Sequence, residues 1–352
     1  MSKMSLKESL KLATGYVFRW VGVSTEPRLL EVGNPTPEDP VFLTCNFNLT
    51  VKRVLKAVEG MDCFLLVAPS NGINVWCGAC GDDFDTNSVL SILKTSKIGD
   101  RVSHRTLILP QLSAPGIDPD VIKKKTGWIA KFGPVRAEDI PAYVERGFEK
   151  TQTQREVTFP ITKRIEMGNL YFLSLLILLS PIYWVLSLFL PFFTLTLYLS
   201  SVLTSIGVIH GSLILSTRFN SLSGKLKVLI HETLIIGAIT AFNLFLWFNL
   251  LYLIWNVVLS ILLALLMMED LHGLTPIYKS ELGEKSWEKG KTTMSFLFDE
   301  FALQPYGEIQ METEKCIGCK ACIDVCPRAV FEFDEGNNKA NILEPDRCIN
   351  CH

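Results

Sequence analysis

From Asn169 to Met268 the chain is written almost wholly in Leu, Ile, Phe, Val, Ser and aromatic residues. A hydrocarbon core takes ~20 apolar residues per spanning helix, so this block is expected to be membrane-embedded before any other element is considered. Pro191 and the surrounding LPFF divide it into Leu170 to Leu190 and Phe192 to Thr217, and the polar loop Arg218 to Lys227 ends the second run. Val228 to Met268 is about twice the length of one span at 1.5 Å per residue, and is split near Trp247-Phe248-Asn249, where neither Gly nor Pro marks a turn. The expectation is a bundle of about four transmembrane helices over residues 169–268.

Basic residues test that count. Lys163 and Arg164 precede the first span, Arg218, Lys225 and Lys227 lie between the second and third, and Lys279 and Lys285 follow the fourth, while the other two connections carry no Lys or Arg. All positive loops then fall on one side, which the positive-inside rule makes cytoplasmic. The expected localisation is a multi-pass protein of the cell membrane, in contact with lipid, with N- and C-terminal parts in the cytoplasm. The opening MSKMSLKESLKLATGY lacks the apolar region of a secretory signal, in keeping with this. His210 and the pair His231-Glu232 are ionisable groups in or near spans and so candidates for function, with interfacial placement the simpler account of the pair. A net charge of −2 gives no field for nucleic acid, and none is expected as a partner.

Ahead of the apolar block, short apolar runs alternate with helical patterns. VFLTC (Val41 to Cys45), CFLLVAP (Cys63 to Pro69), INVW (Ile73 to Trp76), TLILP (Thr106 to Pro110) and WIAKFG (Trp128 to Gly133) read as buried strands. Leu49 to Gly60, Thr86 to Ser96 and Asp118 to Gly127 read as helices. The alternation predicts an α/β domain with a mostly parallel sheet, in which ligands bind beyond the carboxyl ends of the strands. Cys77, directly after INVW, stands where a ligand is met. The bland alternative is a buried cysteine that acts as a small hydrophobe.

Six of the ten cysteines crowd between positions 316 and 351, which in a cytoplasmic segment reads as metal ligation, because disulfides are rarely kept there. Cys316, Cys319, Cys322 and Cys326, followed by Pro327, have the bacterial ferredoxin pitch, in which the fourth cysteine serves a different cluster from the first three. Zinc sites seldom run four thiols at this spacing. A second motif opens at Cys348 and Cys351, just before the last residue, His352. Each cluster then has three thiolates, Cys316, Cys319 and Cys322 for one and Cys326, Cys348 and Cys351 for the other. A fragment and an unusual cluster ligation both account for that count, so one or two 4Fe-4S clusters are expected.

GINVWC, VSHRTLILPQLSAPGI (Val102 to Ile117) and FGPVRAEDIPAYVERG (Phe132 to Gly147), in that order and ahead of the apolar block, resemble the mercury-methylating membrane corrinoid protein family. Its corrinoid domain is similar to that of the corrinoid iron-sulfur protein of the acetyl-CoA pathway. The resemblance implies a Rossmann-like corrinoid-binding domain over residues 35–165, after an N-terminal segment 1–34. It further implies that Cys77 lies on a short cap helix beneath the corrin ring and ligates cobalt of a cobalamin from below, with Asn74, Val75, Trp76 and Gly78 shaping the pocket. A thiolate is a strong donor and would ease transfer of the methyl group to a soft electrophile such as Hg(II).

Residues 309–352 resemble the dicluster ferredoxin that accompanies that family, here fused to it through a cytoplasmic linker, 269–308. The implied function is corrinoid-dependent methyl transfer: a methyl-folate or methyl-pterin methyltransferase as donor partner, Hg(II) or another methyl acceptor, and a ferredoxin that reduces cobalt to Co(I). One departure stands out. The family's small residues and Gly-Lys after the cysteine are replaced here by Gly78-Ala79-Cys80-Gly81-Asp82-Asp83. Cys80 makes a C-x-x-C pair with Cys77, open to a disulfide or to a soft metal. A methyl carrier for a different acceptor and a membrane-bound iron-sulfur electron-transfer protein are the alternative readings.

Overall fold

Strands Val41–Cys45 and Cys63–Ala68 are buried at every position, as parallel strands covered on both faces require. With β1 (Arg28–Val32), β2 (Val41–Cys45), β3 (Cys63–Ala68), β4 (Thr106–Leu109) and β5 (Ile129–Phe132), they form one sheet of order β1-β3-β2-β4-β5. β2 to β5 are mutually parallel and β1 runs antiparallel to β3, which makes the sheet mixed. Alternate side chains of one strand serve opposite cores. Val41, Leu43, Phe64, Leu66, Leu107 and Leu109 pack on one face, and Phe42, Leu65 and Ile108 on the other.

This computed structural model describes residues 23–215, 230, 233–238, 240–242, 249–271, 309–345 and 348. Among them, residues 23–157 and Gln310–Pro345 cluster as one compact unit, and those from Thr158 to Ile309 belong to a second.

In the first unit, α1 (Asn48–Ala57) supplies Val54 to one core. α3 (Thr86–Ser96) and α4 (Pro119–Thr126) supply Val89, Ile92, Leu93 and Ile122 to the other. α2 (Val75–Cys80) lies between β3 and α3, and α5 (Ile140–Glu145) follows β5. The helices begin where the sequence offers caps: the Asp85 carboxylate accepts from the Ser88 amide, and Asp118 from those of Asp120 and Val121.

Two local readings change. INVW is not a strand, because the Asn74 side chain accepts from the Cys77 amide and starts α2, outweighing the β preference of Ile73, Val75 and Trp76. Cys77 therefore lies on a short helix. β1 falls in the stretch read as an N-terminal segment, and its partly exposed residues are those of a sheet edge.

In the second unit, α6 (Ile161–Ser187) and α7 (Leu195–Leu215) are joined through the Pro191 turn. Both are long and apolar enough, by length and composition, to cross a membrane. α8 (Leu250–Leu271) packs against α7, and a further apolar helix occupies Thr233–Phe242. Two of the four expected spans thus meet that criterion among the described residues. Much of the third, with Arg218, Lys225, Lys227, His231, Glu232, Lys279 and Lys285, lies outside them.

α6 starts nine residues before the expected Leu170, so Lys163 and Arg164 sit in its first turns rather than ahead of it. Arg164 is tolerated there because its guanidinium donates to the carbonyls of Phe159 (2.7 Å) and Leu213 (3.2 Å). Polar side chains join the helices: Thr204 donates to Asn256 Oδ1 (3.1 Å) and Asn256 donates to Ser200 Oγ (2.9 Å). His210 Nε2 lies 3.0 Å from Asn169 Oδ1, with its ring in the space that Gly168 leaves open. That contact makes His210 an interhelical packing partner.

The cysteine-rich segment contributes a short helix, α9 (Ala321–Val325), and an antiparallel hairpin of β6 (Phe331–Asp334) and β7 (Lys339–Ile342).

Candidate functional site

The chain leaves β2 toward β3 on one side, then crosses to β4 on the other, so the strand order reverses between β2 and β4. In doubly wound sheets the crevice at the carboxyl ends flanking such a reversal is where ligands bind. Three segments meet on this rim: Asn46 after β2, Ser70–Cys80 after β3, and the tight turn Gln111–Ser113 after β4. α2 packs directly against that last turn.

Asn46 anchors the approach to α2. Its Oδ1 accepts from the amides of Ser70 (3.0 Å) and Gly72 (2.9 Å) and lies 2.8 Å from Ser70 Oγ. Its Nδ2 donates to the Thr25 carbonyl at 3.1 Å. Both Asn46 and Ser70 are buried, so these bonds are made away from water and fix the 70–74 loop.

α2 then turns Val75, Gly78 and Ala79 inward, where Val75 joins the core and Gly78 faces Phe84. A Cβ on Gly116 would lie 2.8 Å from the Ala79 carbonyl and 2.7 Å from that of Phe84, so the SAPG motif exists to let this helix come close. Trp76 is half-buried and Cys77 and Cys80 are exposed.

Cys77 is therefore not a core cysteine. Cys45 and Cys63 are: both are buried in strands, and burial pushes their thiols up, that of Cys63 to about 11. Although Cys80 is exposed, desolvation by the surrounding protein, with a smaller push from Cys77, raises its thiol to about 11. Desolvation thus disfavours the free Cys80 thiolate. The exposed Cys77, on a short helix beside the crevice, has the access that a thiolate ligand to a bound metal centre would need.

In the C-terminal segment the backbone takes left-handed turns at Gly318 (φ +74°) and Lys320 (φ 60°), between Cys316, Cys319 and Cys322, and the three thiols are close enough to act on one another electrostatically. Cβ atoms are excluded at Gly318 by the Asn338 side chain. The amides of Ala340, 3.4 Å from its sulfur, and Gly318 hold the Cys316 thiol below the usual range. Burial pushes Cys322 up, and Cys316 and Cys319 add to that. Amide donors to a sulfur are the support that cluster thiolates receive, so this donor set fits an iron-sulfur cluster. Among the described residues no three ligating groups stand as a preformed ion site. Cys326 and Cys348 are half-buried, and Cys351 lies outside the described residues.

Asn46, Gln111 and Lys150 did not emerge from the sequence reading. Asn46 and Gln111 carry one usable signal, an amide side chain just past the carboxyl end of a mainly apolar strand.

A doubly wound unit with the exposed Cys77 and Cys80 on a short helix at its crevice, carrying a ferredoxin-type segment, defines the class of the site. Comparison with known proteins narrows it: residues 11–144 match the family described as CO dehydrogenase/acetyl-CoA synthase delta subunit, and residues 315–352 match the 4Fe-4S dicluster domain. The gamma subunit of the acetyl-CoA decarbonylase/synthase complex of Archaeoglobus fulgidus is 33% identical over 128 residues, 36% of this chain and 27% of that protein. Its counterparts from Methanopyrus kandleri and Methanocaldococcus jannaschii are each 32% identical, over 123 and 129 residues, which are 34% and 36% of this chain. The chain spans about a quarter of the length of these relatives, 26–27%.

Proposed function

We propose that the chain is a membrane-anchored corrinoid methyl carrier with its own iron-sulfur electron source, and that Cys77 would ligate the cobalt of the bound corrinoid. The observation that carries this reading is the exposed Cys77 thiol on an anchored helix at the crevice, within the region that matches the acetyl-CoA synthase family. When bound, the corrinoid supplies a cobalt centre that takes a methyl group from a methylated folate or pterin, delivered by a partner methyltransferase, and gives it to an acceptor.

The chain's own part is to position and to shield. Asn74 holds the Cys77 amide at 3.0 Å, so the thiol's direction is set by the first turn of α2. Val75 and Gly78, turned inward, keep the helix from rotating. Cys316, Cys319 and Cys322 would hold one cluster, and Cys326, Cys348 and Cys351 would serve a second where two are bound.

Hg(II) is the acceptor the sequence resemblance favours. A different acceptor is the second reading, favoured by Cys80, Asp82 and Asp83 standing after Cys77. The reconstituted chain, given a methylated folate, its methyltransferase and a low-potential reductant that returns cobalt to cobalt(I) through the clusters, is expected to form methylmercury from Hg(II). Formation of a methylated thiol with no methylmercury would select the second reading, and no methyl transfer to either would overturn the first.

Membrane anchoring is supported by the outward side chains of the second unit: Leu188 and Phe189 are 79% and 77% exposed, and Ile182, Val185, Leu251 and Leu262 are more than half exposed. So much outward apolar surface is the mark of a lipid-facing or partner-facing bundle. In cells, cysteine labels placed at 218–227 and at Lys279 are expected to react only with reagents that enter the cytoplasm. Labelling of one of them from outside would remove the four-span topology.

A further inference from the structure

One buried polar contact in the first unit has no part in holding either cofactor. Gln111, fully buried after β4, donates from Nε2 to the backbone carbonyls of Asp324 (2.8 Å) and Val325 (2.9 Å), at the end of α9 between Cys322 and Cys326. Its Oε1 accepts from Lys150 Nζ at 2.6 Å. The same ammonium lies 2.9 Å from Asp324 Oδ1 and 3.3 Å from the Asp324 carbonyl. Lys150 is 4% exposed and Asp324 47%, so the pair is shielded on one side only. Next to it, the Val157 amide donates to the Pro327 carbonyl (2.7 Å), and buried Arg328 donates to the Val157 carbonyl (2.8 Å). Both flanks of Cys326 are thus tied to the α/β layers. Gln111 also belongs to the turn that packs on α2, so one short turn touches the Cys77 helix and the cysteine loop together.

We infer that Gln111, Lys150 and Asp324 form a polar latch that seats the ferredoxin-type segment on the crevice rim beside the Cys77 helix, setting the electron path from cluster to corrinoid within one chain. The electron path rests on the function proposed above; the docking does not. In the step that the latch serves, a reduced 4Fe-4S cluster loses one electron and cobalt(II) gains it to become cobalt(I). The cluster is then re-reduced by a low-potential external donor. Hydrogen bonds to main-chain carbonyls and a half-exposed ion pair hold the segment in register, and a polar contact of this kind can open where an apolar one would not.

The test uses the whole chain in detergent, first without cofactors, and reads amide exchange of residues 154–158 and 321–328. Lys150→Glu sets like charges face to face and is expected to speed exchange there by about tenfold or more, with the β2–β4 core unchanged. Lys150→Met, which leaves no buried charge, is expected to give a smaller increase, and the swap Lys150→Glu with Asp324→Lys to return exchange toward the parent. Unchanged exchange in Lys150→Glu, or a swap no slower than the single variant, overturns the latch. With cobalamin and clusters loaded, the latch variants are expected to slow dithionite-driven appearance of cobalt(I) about tenfold, while direct reduction by titanium(III) citrate keeps the parental rate. Faster exchange with an unaltered cobalt rate overturns the electron path. A chain that takes up no cobalamin overturns the proposed function instead, and the exchange data still decide the docking.

Discussion

Cys77→Ala is expected to abolish the thiolate-to-cobalt absorption band and to lower methyl transfer by at least on the order of 100-fold, while the protein folds normally. The size follows from the ligand hierarchy: removing only an outer-shell partner of a metal ligand costs about 10–100-fold, and Cys77 would be the ligand itself. Folding is expected to survive because the side chain is exposed and α2 is held by Val75, Gly78 and Asn74 rather than by the thiol. Surface changes of this kind alter stability by about 0.5 kcal/mol or less. Cys80→Ala is the matched control. Because desolvation disfavours its free thiolate, Cys80 is not expected to take the ligand's place, and its loss is expected to leave band and rate within about twofold. Absorption spectra and single-turnover rates of the two variants check this. A band that persists in Cys77→Ala and vanishes in Cys80→Ala would reassign the ligand.

Asn46→Ala is expected to be the most destabilising single change at the crevice. It leaves the buried Ser70 and Gly72 amides without their acceptor and the Thr25 carbonyl without a donor. Each buried polar group so orphaned costs about 1–3 kcal/mol, so a total of roughly 3 kcal/mol is expected after local relaxation. For a unit of this size that is a fall of roughly 10 °C in the thermal midpoint. Because the freed loop leads straight into α2, corrinoid affinity is expected to fall with it. Thermal unfolding followed by tryptophan fluorescence checks the first expectation and cobalamin titration the second. A midpoint shift of only one or two degrees would mean that the 70–74 loop is held by something other than Asn46.

β2 to β5, unlike β1 with Arg28 and Glu31 at the sheet edge, were legible in the sequence because their runs are mainly apolar and bounded by turns, a pattern that depends on neighbours a few residues away. The same is true of the capped helices and of the cysteine pitch at 316–326. INVW was misread because the deciding interaction, Asn74 onto the Cys77 amide, competes with a genuine β preference, and its supporting bond from Asn46 to Gly72 spans 26 residues. The start of α6 was missed for a related reason. Charged Lys163 and Arg164 read as a polar flank until Arg164 is seen to reach the Leu213 carbonyl 49 residues on. Gln111 and Lys150 were beyond any local reading, since their partner Asp324 lies 213 and 174 residues away. Cys77 was singled out by its motif, but its exposure follows from which α2 residues Phe84 and the core claim.

The central claim, that this chain carries a corrinoid through Cys77, is tested most directly by cobalt and iron analysis of the chain purified after reconstitution with cobalamin and iron-sulfur clusters. The account predicts stoichiometric cobalt with a thiolate-to-cobalt band in the parent, no such band in Cys77→Ala, and iron retained in both. Iron without cobalt in the parent would contradict it.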